Sequence, residues 1–409
     1  MSQKPAVEPP KAGIGRNIAA IRKQRDLTQH GLAQRANISY SLLTKIESGR
    51  VAATPKATAA CARALRVPVT DLTGQPYVRS LKDEGLEELI QPLRASISNP
   101  MLPSYEDDVP PRPLNRVLAD LRSLEASRLR GEYMPLGVGV PALIDELIEI
   151  VHDAPSARRR EEAFTHLAQA YRLGNCFAHK LGFLDLSLIS LDRMQSAAAQ
   201  SSDPYLQAVV THYRSDYFLH HGAYDVGLRG IRAMERLLEE PARRGDTRAL
   251  SALGTMHLKA AVLHSRQRRP SARGDAFARI TEAHEIAQRA EGNPDPYGLI
   301  FDRWNVAIHE TSIRIDIGEH GEAVEKGESI RFPESWAQNR RSHHHMDMAR
   351  LYEKEGRPDE AFSALVNARS LASDQTRYHP TTRETVLALL RKRGQPSKQL
   401  QSYARWIGV

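Results

Sequence analysis

Cysteine is nearly absent from this 409-residue chain: there are two, Cys61 and Cys176. They lie far apart, so neither a disulfide framework nor a cysteine-based zinc site is open to it, and a reducing cytoplasm is the expected setting. Long hydrophobic runs are missing as well. The most apolar stretch, Tyr133 to Ile144, is short and broken by Pro135, Gly137, Gly139 and Pro141. No segment approaches the ~18 apolar residues of a membrane-spanning helix, so no membrane partner is expected. The opening MSQKPAVEPPKAG has no apolar core of the kind a secretory signal needs and reads as a disordered arm over residues 1–12. Beyond residue 114 β signals are absent and helical periodicity runs throughout, so with the short amphipathic helices of the first 74 residues an all-α fold is expected.

Catalytic signatures are lacking too. His284-Glu285 and His309-Glu310 have no histidine three residues on, so neither forms the helical zinc-hydrolase pattern. No phosphate-binding P-loop and no G-x-S-x-G nucleophile elbow occurs, and GVGVP at 137–141 lacks a third glycine and a preceding strand. The run His343-His344-His345 cannot close on one ion, because consecutive helical side chains diverge by about 100°. The expectation is therefore a non-enzyme with no catalytic residue, no cofactor and no metal.

Charge is present, but unevenly. Residues 1–78 hold 12 Lys+Arg against 4 Asp+Glu, an excess equal to the +8 of the whole chain, and the remainder balances at 45 of each sign. A basic segment on a neutral body points to a polyanion-binding head attached to a module with another task. The length itself calls for more than one domain.

Within the head, Ile14, Ile18 and Ile21 recur at helical spacing, and the opposite face of this first helix is assigned Arg16, Arg22, Lys23 and Arg25. Thr28 stands at an N-cap position before a second helix, 29–36, with Leu32 and Ala33 turned inward. Asn37-Ile38-Ser39 makes a turn, and Ser39 caps a third helix that ends at Gly49 and buries Leu43 and Ile46. Tyr40, Ser41, Thr44, Lys45 and Ser48 are left pointing outward, a set of donors suited to base edges and phosphates in a major groove. Thr54-Pro55 opens a fourth helix, and Val67 to Leu72 supplies a fifth. Taken singly, Lys45 reads equally as a solvated charge and Tyr40 as a ring packed on the second helix. Glu47 pairs with a basic neighbour such as Arg35 or Arg50, since phosphate would repel it.

The run LTQHGLAQRANISYSLLTKIESGR followed by ACARALRVPVTDL resembles the helix-turn-helix of the lambda-repressor/Cro (XRE-type) family over roughly 60 residues. The resemblance implies a five-helix domain (residues 13–76) whose second and third helices read duplex DNA. Gln29 then falls where the family contacts backbone phosphate and braces the recognition helix, and Ser39, Tyr40, Ser41, Thr44, Lys45 and Arg50 fall on its DNA-facing positions. Arg16, Arg22 and Lys23 are expected as phosphate contacts that carry no sequence information.

Residues 77–113 are proline-rich and acidic and read as a linker containing one helix, about 83–93. From 114 to 409 helical periodicity dominates. Leu181-Gly182, His221-Gly222, Ile317-Gly318 and Glu355-Gly356 each divide two helical runs. In HMDMARLYEKEGRPDEAFSALVNARSLA, Ala349, Tyr352, Ala361, Leu365 and Ala368 stand at the small and large positions of a tetratricopeptide unit. This part resembles a tetratricopeptide-type α-solenoid of about five irregular helix pairs over 160–375, capped by 381–406. The loop SRQRRPSARGD is expected to be solvated. The reading that emerges is a bacterial, cytoplasmic transcriptional regulator that binds double-stranded DNA as a homodimer. Its solenoid would dimerise and sense a peptide or protein effector. The alternative is an interaction scaffold or antitoxin-type protein with the helix-turn-helix in an accessory role.

Overall fold

The computed structural model describes residues 13–99, 101–102, 111–292, 295–392 and 396–409, and those residues contain helices and no strand. The arm expected over 1–12 lies outside them. Five helices form the head: α1 (Ile14–Gln24), α2 (Gln29–Ala36), α3 (Tyr40–Glu47), α4 (Pro55–Leu65) and α5 (Val69–Thr73). Their starts are set by side-chain caps. Thr28, Ser39 and Thr54 each accept a hydrogen bond from a backbone N–H three residues ahead, satisfying donors that a helix start leaves unpaired. Ile18, Leu32, Leu43, Ile46, Leu65 and Leu72 fill a core of their own, and Cys61 is fully buried within it. Burial pushes that thiol up to about 12, so it is an inert packing residue.

The expected linker is corrected by the structure. Residues 78–98 fold as α6 (Val78–Asp83), a 3-10 turn (Glu87–Leu89) and α7 (Ile90–Ser98). Leu81, Leu86, Ile90, Leu93 and Ile97 are buried in the core of the body, so this stretch is part of the body and no spacer. The acidic run at 103–110 lies outside the described residues.

Two long helices follow, α8 (Leu114–Arg130) and α9 (Tyr133–His152); α9 carries Pro141 inside it without ending. Then come helix pairs: α10 (Ala157–Leu181) with α11 (Leu184–Ala199), α12 (Leu206–His221) with α13 (Tyr224–Arg243), and α14 (Thr247–Arg266) with α15 (Ala272–Arg289). The pairs α16 (Arg303–Ile317) with α17 (His320–Ser329) and α18 (Gln338–Lys354) with α19 (Pro358–Leu371) continue the stack. Gly182, Gly222, Gly318 and Gly356 all sit at positive φ at the turns within pairs, the conformation that ends a helix most cheaply when no Cβ is present. Ala349, Ala361, Leu365 and Ala368 are fully buried, letting α18 and α19 approach closely. The stack is closed by α20 (Ser373–Tyr378), α21 (Pro380–Lys392) and α22 (Lys398–Ile407). The described architecture is a helix-turn-helix head and an α-helical stack with the form of a solenoid. No described helix is long and apolar enough to cross a membrane.

The head is docked on the body. Ile14 donates its backbone N–H to Glu384 Oε1 at 2.8 Å, Lys56 Nζ reaches the Ser265 carbonyl at 3.2 Å, and Arg63 Nη1 reaches that of Gly222 at 3.1 Å. Arg266, expected in a solvated loop, is instead the last residue of α14, and its Nε is paired at 2.9 Å with the buried Asp316. The loop is shorter than its composition suggests, because Ala272–Arg289 is already helical.

Candidate nucleic-acid interface

The interface is built on a buried clamp. Arg22 Nε and Nη2 donate to the two oxygens of Glu47 at 2.7 and 2.8 Å, and its Nη1 donates to the Leu27 carbonyl at 2.7 Å. Gln29 Nε2 completes the clamp on Glu47 Oε2 at 2.8 Å. One carboxylate on α3 thus ties down α1, the α1–α2 loop and the start of α2. The hydrogen bonds to Glu47 raise the Arg22 guanidinium above its ordinary value against the cost of burial. A bidentate arginine–carboxylate pair fixes orientation as well as distance, so α3 is held rigidly against α1 and α2.

This corrects the place of Arg22. It was expected as a phosphate contact, but only 8% of it is exposed and its donors are directed inward. The physical reason is its register: Ile14, Ile18 and Arg22 follow at four-residue steps and share one helix stripe. Glu47 also finds a different partner from the Arg35 or Arg50 expected.

Around the clamp the other expected residues lie on the outside. Arg16, Lys23, Ser39, Ser41, Lys45 and Arg50 are exposed, and Gln29 and Thr44 are half-buried. Ser39 spends its Oγ acceptor capacity on the Leu42 N–H as the cap of α3, and Thr44 Oγ1 donates to the Tyr40 carbonyl. Tyr40 takes both of its alternatives: it stacks on His30 of α2, with ring centroids 4.0 Å apart and planes 4° from parallel, and it stays 43% exposed. His30 is a member of this surface that spacing arguments passed over, since nothing in the sequence relates it to Tyr40 ten residues on.

The body also contributes. At the C-terminal end of α3, Ser48, Gly49 and Arg50 share a recess with Glu353, Arg391 and Lys392 of α18 and α21. Two cations of a body that is neutral overall therefore stand beside the basic head. No signal in the sequence could place them there, more than 340 residues along the chain.

A rigid helix presenting aromatic, hydroxyl and cationic groups, braced by a helix before it and bordered by exposed cations, has the chemistry to meet base edges and phosphates. Residues 14–73 match the family described as Helix-turn-helix domain. Over 74 residues the chain is 39% identical to a protein named Immunity repressor protein from Bacillus phage phi105, a match covering 18% of this chain and 50% of that relative. The chain thus spans about half the length of this curated relative. No solved structure matches the chain.

Proposed function

We propose that the protein is a bacterial, cytoplasmic transcriptional regulator that binds duplex DNA sequence-specifically through α3 and acts as a homodimer. The observation that carries this reading is the outward face of α3, with Tyr40, Ser41, Thr44 and Lys45 held by the Arg22–Glu47–Gln29 clamp. The relative's name and the confinement of the net charge to the first 78 residues support it. The helical stack is read as a divergent tetratricopeptide-type solenoid that dimerises and answers an effector. Its support is the glycine turn within four of its pairs and the small-residue contact between α18 and α19.

The test is selection of bound duplexes from a random pool, followed by titration of the selected site at several salt concentrations. Log affinity should fall linearly with log salt, by roughly 0.9 for each phosphate neutralised. Lys45→Ala and Gln29→Ala should each weaken binding about tenfold or more with an unchanged circular dichroism spectrum. A dimer predicts two half-sites about one helical turn, roughly 34 Å, apart. Unchanged affinity in both variants removes this recognition surface, and a failure to bind any duplex saturably favours the interaction scaffold.

A further inference from the structure

The first helices of the five pairs, α10, α12, α14, α16 and α18, turn one face inward, and the docked head closes over it. Between them lies a chamber of about 380 Å³, whose head wall includes Thr54, Thr73 and Gln75. Its walls combine a mostly apolar surface, from residues such as Leu258, Val262 and Ile308, with a set of polar and cationic groups. Three cations there have no carboxylate partner among the described residues: Lys180, Lys354 and Arg340, the last held only by the Asn305 amide oxygen at 2.7 and 2.9 Å and by His309 Nε2 at 3.2 Å. Other lining cations are matched, as Lys259 is by Asp216 and Arg266 by Asp316. The chamber therefore gathers several cations without an ion-pair partner, although Asp347 and Glu384 also line it.

Hydrogen-bonding capacity is left over as well. Buried polar atoms of five lining residues have no hydrogen-bond partner in the protein: His212 Nδ1, Asn339 Oδ1, His343 Nδ1, Asp347 Oδ2, and both Nε and Nη1 of Arg350. Arg350 is only 6% exposed, and its remaining nitrogen reaches Asp316 at 3.3 Å. A buried polar atom left without a partner destabilises the fold, and folded proteins carry few of them. The donors among these atoms, above all Nε and Nη1 of Arg350, lie beside cations without a carboxylate partner and are what an anion would meet, whereas Asn339 Oδ1 and Asp347 Oδ2 are acceptors that it would not. Burial pushes His212, His309, His343 and His379 well below the usual imidazole range, so they offer neutral donors and acceptors at pH 7. Burial and the neighbouring Arg350 bring Lys354 down to about 8.

We propose that this chamber binds a small, multiply charged oxyanion, of the phosphorylated or polycarboxylate kind, between the head and the solenoid. Its volume stands at the lower end of the roughly 300–1,000 Å³ of small-molecule sites and favours a compact molecule over a long peptide. The anion supplies the charge that Lys180, Arg340 and Lys354 lack and acceptors for the two free donors of Arg350. Because its walls come from both modules, an occupant contacts both and favours the docked arrangement by its differential affinity. The proposal deepens the effector part of the reading above, and it is read without DNA, so a failure of DNA binding leaves its test intact.

The experiment is calorimetric titration of the full chain with sodium pyrophosphate and, separately, with citrate at fixed ionic strength, alongside thermal unfolding. Saturable binding of one anion per chain is expected from at least one of them; pyrophosphate alone points to a phosphorylated ligand and citrate alone to a polycarboxylate. The Lys180→Met/Arg340→Gln double variant should bind at least tenfold more weakly. Without ligand it should melt at or above the wild-type temperature, because removing half-buried cations that lack a carboxylate partner relieves the folded state. Lack of saturable binding by either anion, unchanged affinity in the variant, or a variant that melts well below the wild type overturns the proposal.

Discussion

Arg22 and Lys23 are neighbours of like charge with opposite assignments. The Arg22 guanidinium is enclosed by Glu47 and the Leu27 carbonyl, whereas Lys23 is exposed. Removing one partner of a buried pair strands the other charge, at a cost of about 3–5 kcal/mol. Arg22→Ala should therefore lower the unfolding midpoint of the head strongly in a denaturant titration. Lys23→Ala should leave stability within about 0.5 kcal/mol and reduce the salt slope of DNA binding by roughly one. If Arg22→Ala keeps its midpoint and shows the shallower salt slope instead, Arg22 contacts phosphate after all. Its inward position was legible in principle. Arg22 is four residues beyond Ile18 on the buried stripe, but a cation is ordinarily given to the solvent face, and the partner that makes burial tolerable stands 25 residues away.

Among the elements, α1 and α3 approach so closely that a Cβ on Gly15 would lie 1.9 Å from the Ile46 carbonyl oxygen. Gly15→Ala must push the two helices apart, against the clamp that holds them. Such overpacking costs about 1–3 kcal/mol, and it should appear as a lower midpoint together with weaker DNA binding, since α3 shifts with it. A midpoint equal to the wild type would show that the head yields without strain. The element that the sequence obscured most is α7. Leu86, Ile90, Leu93 and Ile97 follow the helical stripe faithfully, yet Pro92 and the nearby prolines and acids speak for a linker. Pro92 falls in the first turn of α7, where a missing N–H removes no intrahelical bond, so the proline marks a start. The helices of the head were easier to place, because Thr28, Ser39 and Thr54 cap them through contacts three residues long.

For the whole molecule, ion pairs between distant helices join the layers. Glu125 of α8 meets Arg128 and, through 2.8 Å to Nη2, the deeply buried Arg172 of α10. Burial alone would push the Glu125 carboxyl up, but Arg172 and Arg128 overcome it and hold it at about 2. A carboxyl whose folded value lies below its unfolded value of about 4.3 stabilises the fold above that pH and ceases to do so as the pH falls through its folded value. The contribution is on the order of 3 kcal/mol and should fade between roughly pH 4.5 and pH 2. Stability followed by denaturant titration should decline through that window in the wild type, and more shallowly in Glu125→Gln, which should be less stable at pH 7. Equal slopes in the two proteins would remove Glu125 from the acid response.

What the sequence determines by itself are the features set within a few turns of chain. These are the all-helical fold, the helix-turn-helix with its caps and its exposed Ser39, Tyr40, Ser41 and Lys45, and the glycine turns of the stack. Each follows from a period of 3.6 residues or from a contact three or four residues long. What only the tertiary structure decides is where charges from distant segments meet. Lys180, Arg340 and Lys354 are ordinary helical cations along the chain, and they face one chamber because the stack turns the same side of successive helices inward. The head's own docking through Ile14 and Glu384, 370 residues apart, is of the same kind. Local propensity carries no information about such separations, because the energy of bringing those groups together exists only once the helices have packed.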